Sequence, residues 1–422
     1  MDIFIKTLGC PKNEVDSEHL AEFLTKKGYT VVNNESNSSC IIINTCAFIQ
    51  EAVKESLNTV IETRIKKGNK CKIFVTGCLY NRYKNELEKT LSEADGFFSL
   101  SDPKIEKIIG PPKNRDILKH DFLCYDKYVK PWTYVKIAEG CDRSCSFCVI
   151  PYIKGKFRSF NTEKILSEIK RKIINCREIV LVAQDTLFWG KEKGENLIEL
   201  LKKIVRIKGD FYVRLLYLHP SSITKELCDF ILKEEKMFDY FDIPVQHIVP
   251  KVLISMKRPV IDRKKIINLI ERIRKVSPLA VIRTTVMTGF PTETEKDFKE
   301  LEKFMKEVQF NHAGCFAYSR EENTPAFCLG DTVSKKKKEE RKAEIMKIQA
   351  KISEKWLSCF VGKVINATSD GYIEDGLTSF RNYYFAPEID GRIIVSGIFT
   401  PGTRKKIKIF SSDTYDLHGE PE

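Results

Sequence analysis

The chain has 422 residues, a length that predicts two or three domains at roughly 150 residues each and excludes a small disulfide-stapled scaffold. With 42% hydrophobic and 31% charged residues, the composition is that of an ordinary globular protein and excludes a disordered or collagen-like chain. Lys and Arg number 71 against 58 Asp and Glu, and the resulting net charge of +13 favours an anionic partner such as RNA or a ribonucleoprotein. Solvated surface charge is the simpler explanation of the same excess.

The compartment decides how the fourteen cysteines should be interpreted. The first residues, Met1 to Lys6, read as a strand and not as a signal peptide. The longest apolar stretches fall far short of the roughly 18 residues of a membrane span. We therefore expect a soluble, cytoplasmic protein, in which clustered cysteines indicate metal binding or catalysis more often than disulfides.

The amino-terminal part alternates strand and helix patterns, which predicts a parallel sheet with helices on its faces. A breaker-rich linker, Gly110 to Arg115, ends this part, so the first domain is expected to cover residues 1–115. The predicted strands are Ile3 to Thr7, Ser39 to Asn44 and Lys72 to Thr76, and the predicted helices lie near Asp16 to Lys27, Ala47 to Ile65 and Arg82 to Leu91.

A second alternating block, residues 128–357, predicts a partial (βα)6 barrel, in which chemistry takes place at the carboxyl ends of the strands. The charged run Lys335 to Leu357 predicts a long, solvated connecting helix that leaves the barrel. The six predicted strands lie near Tyr134 to Ala138, Glu178 to Ala183, Tyr212 to Leu218, Tyr240 to Ile243, Ala280 to Met287 and Ala313 to Tyr318.

The last part, residues 358–422, changes to short segments broken by glycine, which predicts a small antiparallel β-barrel. One of its strands, Arg404 to Lys408, carries concentrated positive charge. The predicted fold class is therefore a multidomain α/β protein: an α/β parallel-sheet domain, a partial barrel and a small β-barrel.

Three cysteines follow the first barrel strand within eight residues: Cys141, Cys145 and Cys148. Three thiolates at this spacing can hold one face of a cubane iron-sulfur cluster and leave one iron without a protein ligand. Structural zinc is the alternative, but no His or Cys within the next dozen residues offers a fourth ligand. The Cys-x3-Cys-x2-Cys spacing closely resembles the signature of radical S-adenosylmethionine (SAM) enzymes.

Three further cysteines each follow a predicted strand of the first domain: Cys10, Cys46 and Cys78. Because the ends of parallel strands meet at one edge of a sheet, these residues can ligate a second cluster that again has an open iron. Each alone would be read as a buried thiol, since Cys is among the most buried residue types. The remaining cysteines lack such a pattern and are assigned to packing: Cys40, Cys71, Cys124, Cys176, Cys228, Cys315, Cys328 and Cys359.

An amino-terminal three-cysteine α/β domain, a radical SAM barrel and a small carboxy-terminal β-barrel together resemble the methylthiotransferases over essentially the whole chain. The last segment is similar to a TRAM domain, a module associated with binding RNA or a macromolecular substrate. Gly9-Cys10-Pro11-Lys12-Asn13, Ala386 to Gly391 and Tyr415 to Gly419 resemble the ribosomal-protein branch of the family, called RimO.

The resemblance implies two [4Fe-4S] clusters and SAM as cofactors. Cys141, Cys145 and Cys148 would act catalytically by holding the iron that cleaves SAM, and Cys10, Cys46 and Cys78 would hold the cluster that carries sulfur. The product would be a methylthio group on the β-carbon of an aspartate in small-subunit ribosomal protein number twelve. The implied partners are the ribosomal protein or small subunit, a flavodoxin- or ferredoxin-like electron donor, and RNA through the TRAM domain. The protein is expected to act as a monomer.

Barrel geometry suggests further cofactor contacts, each with a structural alternative. Phe147 lies inside the cysteine loop, where such enzymes place an aromatic side chain near the adenine, and loop packing is its alternative. Arg214 and Arg283 lie on strands and would meet a carboxylate of cofactor or substrate, or else form structural ion pairs. The other candidates, Gln184, Asp185 and Gln246, follow the ends of strands.

Two other functions remain open. The same chemistry could act on a tRNA adenosine, which the net charge and the basic last domain favour. A non-catalytic RNA-binding or metal-storage protein is the third hypothesis, and it predicts no cleavage of SAM under reducing, oxygen-free conditions.

Overall fold

The computed structural model describes residues 1–100, 102, 105–112 and 130–422, which belong to two compact units. Unit 1 comprises Met1–Lys127 and Cys148–Lys156, and unit 2 comprises Tyr128–Phe147 and Phe157–Glu422. Cys124, the end of the predicted linker and the predicted boundary between residues 115 and 128 lie outside the described residues. In the part of the chain that is described, every helix is too short or too polar to cross a membrane.

Unit 1 contains one parallel sheet of five strands in the order β2-β1-β3-β4-β5. Its central strand β3 is buried along its whole length, as expected for a parallel strand covered on both faces. The elements are β1 Asp2–Thr7, α1 Pro11–Lys26, β2 Thr30–Val31, β3 Cys40–Thr45, α2 Gln50–Lys67, β4 Lys72–Gly77, α3 Cys78–Thr90, β5 Gly96–Phe97, α4 Ile105–Ile109 and α5 Ile150–Lys154.

The predicted parallel sheet is confirmed, but two of its helices begin earlier than the sequence pattern indicated. Helix α1 begins at Pro11 with Cys10 as its N-cap, because proline suits the first helical turn, where its missing N–H costs nothing. Helix α3 begins at Cys78 itself. The two edge strands, β2 and β5, have only two residues each and gave no periodic signal.

Unit 2 begins with six parallel strands in two sheets, β10-β9-β6 and β11-β12-β13. The Phe238 amide donates to Val213 O (2.9 Å) and the Leu218 amide to Asp242 O (2.9 Å), so the two sheets continue one another. The predicted partial barrel is therefore present. Its elements are β6 Trp132–Lys136, β7 Ala138–Glu139, β8 Arg158–Ser159, α6 Thr162–Lys172, β9 Glu178–Val182, α7 Leu197–Val205, β10 Tyr212–Leu215, α8 Lys225–Lys233, β11 Tyr240–Asp242, α9 Pro250–Ser255, α10 Arg263–Val276, β12 Val281–Thr288, α11 Glu295–Val308, β13 His312–Ala317 and α12 Lys335–Ser358.

The prediction for the charged helix α12 was wrong in one respect, because the helix does not leave the barrel. Ile345 and Ile348 belong to the same apolar core as the barrel strands. The Gln349 side chain donates to Phe310 O (2.9 Å), and the Arg341 guanidinium binds Glu293 (3.1 Å). The helix has a narrow apolar stripe that packs along the sheet, and its many lysines make this stripe difficult to recognise in the sequence.

The carboxy-terminal part of unit 2 is a closed five-stranded barrel in the order β14-β15-β16-β18-β17. Its strands are β14 Val364–Tyr372, β15 Leu377–Arg381, β16 Ile393–Ser396, β17 Arg404–Ser412 and β18 Leu417–Pro421. The small barrel was predicted to be antiparallel, and four of its pairs are, but β16 and β18 are parallel. Glycine spacing indicates turns and says nothing about which strands become neighbours.

Buried ion pairs join this small barrel to the larger one. Glu178, on β9, binds both Arg214 (2.6 Å) and Arg381 (2.8 Å), and Arg381 also binds Asp370 (2.8 Å). Burial opposes ionisation of Glu178, but the two guanidiniums together lower the pKa of its carboxyl group. The segments expected as a second and a third domain therefore form one compact unit.

Candidate functional site

The sheet of unit 1 brings three cysteines to its carboxyl edge. Cys10 follows β1, Cys46 follows β3, and Cys78 directly follows β4. The strands are level, because Thr7 is opposite Asn44 and Thr45 is opposite Gly77. The three cysteines, remote in sequence, therefore follow neighbouring strands at the same edge of the sheet.

Two glycines allow the backbone to approach closely at this edge. Gly9 has a φ of +94°, and a Cβ placed there would lie 2.9 Å from Cys46 Sγ. Gly77 has a φ of +93°, and its Cβ would lie 2.3 Å from the side-chain oxygen of Asn44. Other residues would be strained in this conformation and would collide with the site. Neither glycine was assigned a role from the sequence. The signal that could have revealed them is that each stands immediately before a cysteine.

Buried polar side chains hold the three turns in place. The Asn13 side chain donates to Leu8 O (2.8 Å) and to Thr45 O (3.1 Å), which links the first turn to the second. The Ser56 hydroxyl accepts from the Cys46 amide (3.1 Å) and donates to Cys46 O (2.7 Å). Sequence reasoning missed both residues, because a lone Asn or Ser carries no pattern of its own.

Two thiols of this edge, Cys46 and Cys78, are buried, and burial disfavours their charged form. Burial raises the pKa of Cys78 to about 12, while nearby Lys154 acts in the opposite direction. Burial also raises the pKa of Cys46, and the neighbouring Cys10 adds to this effect. Thiols of this kind become thiolates only when metal binding displaces their protons.

The spacing of the thiols bears on which metal group they could hold. Across the described ranges, no three His, Cys, Asp or Glu side chains stand close enough to share one metal ion. A cubane cluster needs sulfur atoms that lie farther apart than the ligands of a single ion, because each cysteine binds a different iron. Three sulfur donors on neighbouring strand ends, with glycine in place of bulk beside them, fit such a cluster.

In unit 2, the loop after β7 carries Cys141 and Cys145, and hydrogen bonds position it. The Arg143 amide donates to Cys141 Sγ (3.4 Å), and the Arg258 guanidinium donates to Cys145 Sγ (3.7 Å). The Ser146 hydroxyl donates to Ser255 O (2.7 Å). Cys148, the third cysteine of the motif, begins the segment that belongs to unit 1.

Arg143 fastens this loop to the carboxyl ends of two barrel strands. Its guanidinium donates to the buried Asp185 carboxylate after β9 and to Ser222 Oγ (2.8 Å) after β10. The neighbouring Asp142 carboxylate accepts from the Phe157 amide (2.9 Å). The predicted candidate Asp185 thus orients the cysteine loop. Arg143 was missed, although a cation between two cysteines of the motif was a usable signal.

Near this loop, two side chains have buried oxygens without a hydrogen-bond partner in the described structure, and two other residues have a strained backbone. Gln184 donates to Glu139 (3.3 Å), but its side-chain oxygen and one oxygen of Asp185 are buried without a partner among the residues described. Gln246 and Tyr217, which follow β11 and β10, have φ values of +65° and +62°. Non-glycine residues in this region cost free energy and cluster at functional sites. Gln184, Asp185 and Gln246 therefore stay candidates for ligand contact.

The two predicted arginines occupy structural ion pairs, the alternative that the sequence left open. Arg214 is fully buried, binds Glu178, and donates to Tyr383 O (3.1 Å). Arg283 binds Asp242 (3.0 Å) and lies 3.4 Å from Asp390. Both guanidiniums thus face carboxylates of the protein, although Arg283 Nε makes no hydrogen bond within the described structure.

Phe147 and His219 complete the surroundings of the loop. Phe147 packs against an apolar cluster that contains Met256 and Phe290. This contact corresponds to loop packing, the alternative to a contact with adenine that the sequence allowed. The His219 Nδ1 accepts from the Ser221 amide (3.3 Å), and its Nε2 is buried without a partner in the described structure. Burial lowers the pKa of His219 to about 2, so the imidazole is neutral at physiological pH. The sequence assigned no role to this histidine.

Family models match three segments that together span most of the chain. Residues 2–99 match Uncharacterized protein family UPF0004, residues 135–305 match the Radical SAM superfamily, and residues 361–421 match the TRAM domain.

Curated relatives match the chain over nearly its whole length. The ribosomal protein uS12 methylthiotransferase RimO of Thermosipho africanus is 42% identical over 100% of this chain and 99% of its own. The Aquifex aeolicus protein of the same name is 41% identical over 99% and 97%. Among solved structures, the cobalamin-dependent SAM radical enzyme OxsB is similar over 82% of this chain and 56% of its own, with a TM-score of 0.48 and 12% identity.

Proposed function

Because this chain belongs to the RimO family of radical SAM methylthiotransferases, we propose that its substrate is ribosomal protein uS12, as the name of its relatives states. The product would be a methylthio group on the β-carbon of one aspartate. The observation that carries the proposal is the presence of two separate three-cysteine sets in a chain that matches these relatives from end to end.

Two [4Fe-4S] clusters are part of the proposal. Cys141, Cys145 and Cys148 would hold the catalytic cluster, and Cys10, Cys46 and Cys78 would hold the second one. The glycine turns beside the first set, the Arg143 amide at Cys141 and the Arg258 guanidinium at Cys145 support this assignment. When bound, these clusters and SAM would supply the one-electron chemistry that an unactivated carbon requires.

The protein's own contribution is to position and to shield the reacting groups. The bond between Arg143 and Asp185 orients the cysteine loop over the strand ends. The unpartnered oxygens of Gln184 and Asp185 can accept hydrogen bonds from the hydroxyl or amino groups of SAM. Gln246, whose strained backbone follows β11, is proposed as a further contact. Phe147, seated on an apolar cluster, would help to exclude water.

We propose that the roles along the chain are divided according to the predicted domains. We propose residues 1–115 as the domain of the second cluster, 128–357 as the radical SAM domain and 358–422 as the TRAM domain. The exposed basic residues Arg404, Lys405, Lys406 and Lys408 on β17 would contact ribosomal RNA or protein. A monomer in the cytoplasm, supplied with electrons by a flavodoxin- or ferredoxin-like donor, completes the proposal.

Mass spectrometry after expression in a host without its own methylthiotransferases tests this proposal. Both the peptides of uS12 and the nucleosides of tRNA would be analysed. We expect a methylthio increment on one aspartate of uS12, and its loss in the variants Cys10→Ala and Cys141→Ala. An increment on a tRNA adenosine instead would overturn the substrate assignment and leave the chemistry in place.

A further inference from the structure

A buried ion pair lies within unit 1 and has no role in the proposed function. The Lys154 ammonium is 3.0 Å from the Asp16 carboxylate, and each side chain is only 8% exposed. Lys154 is the last residue of α5, and Asp16 lies on α1, the helix that begins directly after Cys10. Burying two charges costs free energy that their attraction only partly returns. Because the pair does not repay the cost of its burial in stability, its position calls for another explanation.

The pair lies next to Cys78. The Ile153 side chain, adjacent to Lys154 in sequence, packs in the same apolar cluster as Cys78 and Leu79. The Asn81 side chain donates to Ile153 O (3.4 Å), which ties the end of α5 to the first turn of α3, the turn that Cys78 begins. Helix α5 thus brings Lys154 to the edge where the three cysteines leave the sheet.

The two charges act on Cys78 with opposite signs. Among the charged groups near this thiol, the Lys154 ammonium lowers its pKa and the Asp16 carboxylate raises it. The hydrogen bond from Asn81 to Ile153 O (3.4 Å) and the apolar cluster shared by Ile153 and Cys78 place the ion pair near enough to influence a charge at the sulfur. A cluster on three thiolates brings further negative charge, which a buried ammonium stabilises and a buried carboxylate opposes.

We propose that Lys154 is a positioning residue for the cluster on Cys10, Cys46 and Cys78, and that its ammonium raises the reduction potential of this cluster while Asp16 limits the effect. This inference rests on the proposed function only in requiring an iron-sulfur cluster at these cysteines. The competing explanation is mechanical: the ion pair ties α5 to α1 and has no influence on the cluster.

Opposite shifts in potential distinguish electrostatics from mechanics. The full-length chain with Cys141, Cys145 and Cys148 all replaced by Ala leaves only the first cysteine set, which is reconstituted with iron and sulfide without oxygen. The midpoint potential is then measured by a redox titration followed by electron paramagnetic resonance. We expect Lys154→Met to shift the potential to more negative values, Asp16→Asn to shift it to more positive values, and Lys154→Arg to leave it close to the parent value.

Iron content and thermal unfolding serve as controls. If Lys154→Met loses its iron, the Asp16→Asn variant alone tests the inference. This variant keeps the Lys154 ammonium and is expected to shift the midpoint potential to more positive values. Unchanged potentials, or shifts of the same sign in both variants, would overturn the inference while the cluster assignment stands. If the parent chain with the three alanines binds no cluster at all, the proposed function fails at this site, and the inference fails with it.

Discussion

The two cysteine sets are built in different ways. Cys10, Cys46 and Cys78 are separated by dozens of residues and are brought together by a parallel sheet. Cys141 and Cys145 lie in one loop, with Cys148 three residues further on. The first set therefore depends on the tertiary structure of unit 1, whereas the second is specified by local sequence and needs only to be oriented.

The supporting residues differ accordingly. Around the dispersed set the groups that hold the turns are small or neutral, namely two glycines with positive φ, Asn13 and Ser56, and the charged pair of Lys154 and Asp16 lies behind them on the helices. Around the loop two contacts are made by charged side chains, because the Arg258 guanidinium donates to the Cys145 sulfur and Asp185 holds the Arg143 guanidinium. The Cys141 sulfur accepts from the Arg143 backbone amide. A site assembled from strand ends needs close backbone packing, while a loop needs strong directional bonds to hold it.

Removing one cysteine from each set should produce the largest and most distinct effects. We expect Cys141→Ala to abolish formation of deoxyadenosine from SAM, because the open iron that binds SAM is lost. We expect Cys10→Ala to keep deoxyadenosine formation and to lose the methylthio product on uS12. Chromatography of the nucleosides and mass spectrometry of uS12 measure the two outcomes. If both variants lose deoxyadenosine equally, the two sets do not have the separate roles proposed for them.

Glu178 offers a test of unit 2 away from the cysteine loop. Glu178→Gln would leave Arg214 and Arg381 as buried cations without their shared carboxylate, and we expect a loss of about 3–5 kcal/mol in the free energy of unfolding. Because the folded-state pKa of Glu178 is lowered, its contribution is present above its ordinary pKa of 4.5 and is lost as the pH falls through the lower, folded value.

Denaturant unfolding at neutral and acidic pH measures this loss, with the exposed Glu226→Gln as the matched control. The difference between wild type and Glu178→Gln should narrow at acidic pH, where the wild-type carboxyl group also becomes neutral. A constant difference across pH would mean that the shape of the side chain, and not its charge, stabilises the unit.

The contrast also explains what could be predicted from sequence. Both cysteine sets and the alternating βα pattern were visible, because cysteines at short spacing or at strand ends and buried strands leave regular signals. Asn13, Ser56 and Arg258 were missed, because each acts through a contact that exists only after folding. Arg214 was assigned to a ligand as one of two alternatives, since the sequence could not show that Glu178 and Arg381 would meet it. Charged residues that pair across a long stretch of chain leave no periodic pattern in the sequence.

The glycine turns of unit 1 should be sensitive to any added side chain. Gly77→Ala would force a side chain into a positive φ and against the Asn44 amide oxygen at 2.3 Å, so we expect about 2 kcal/mol of destabilisation. We also expect loss of the iron that Cys10, Cys46 and Cys78 are proposed to hold. Gly155→Ala, which has a φ of +73° and nothing within 4 Å of its Cβ, is the control for strain without collision. Equal iron content in the two variants would argue that the collision at Gly77 does not reach the cysteines.

A pair of serines gives the finest comparison, because each supports one cysteine segment through its hydroxyl. Ser56 binds both the amide and the carbonyl of Cys46, whereas the Ser146 hydroxyl donates to Ser255 O. Ser56→Ala leaves two buried backbone groups unpaired, so we expect about 2 kcal/mol of destabilisation, against about 1 kcal/mol for Ser146→Ala. Amide hydrogen exchange should show faster exchange around Cys46 in the first variant and around Ser146 in the second. Equal, small effects from both would mean that water replaces the lost hydroxyl at each site, and that packing of the strand ends alone positions Cys46.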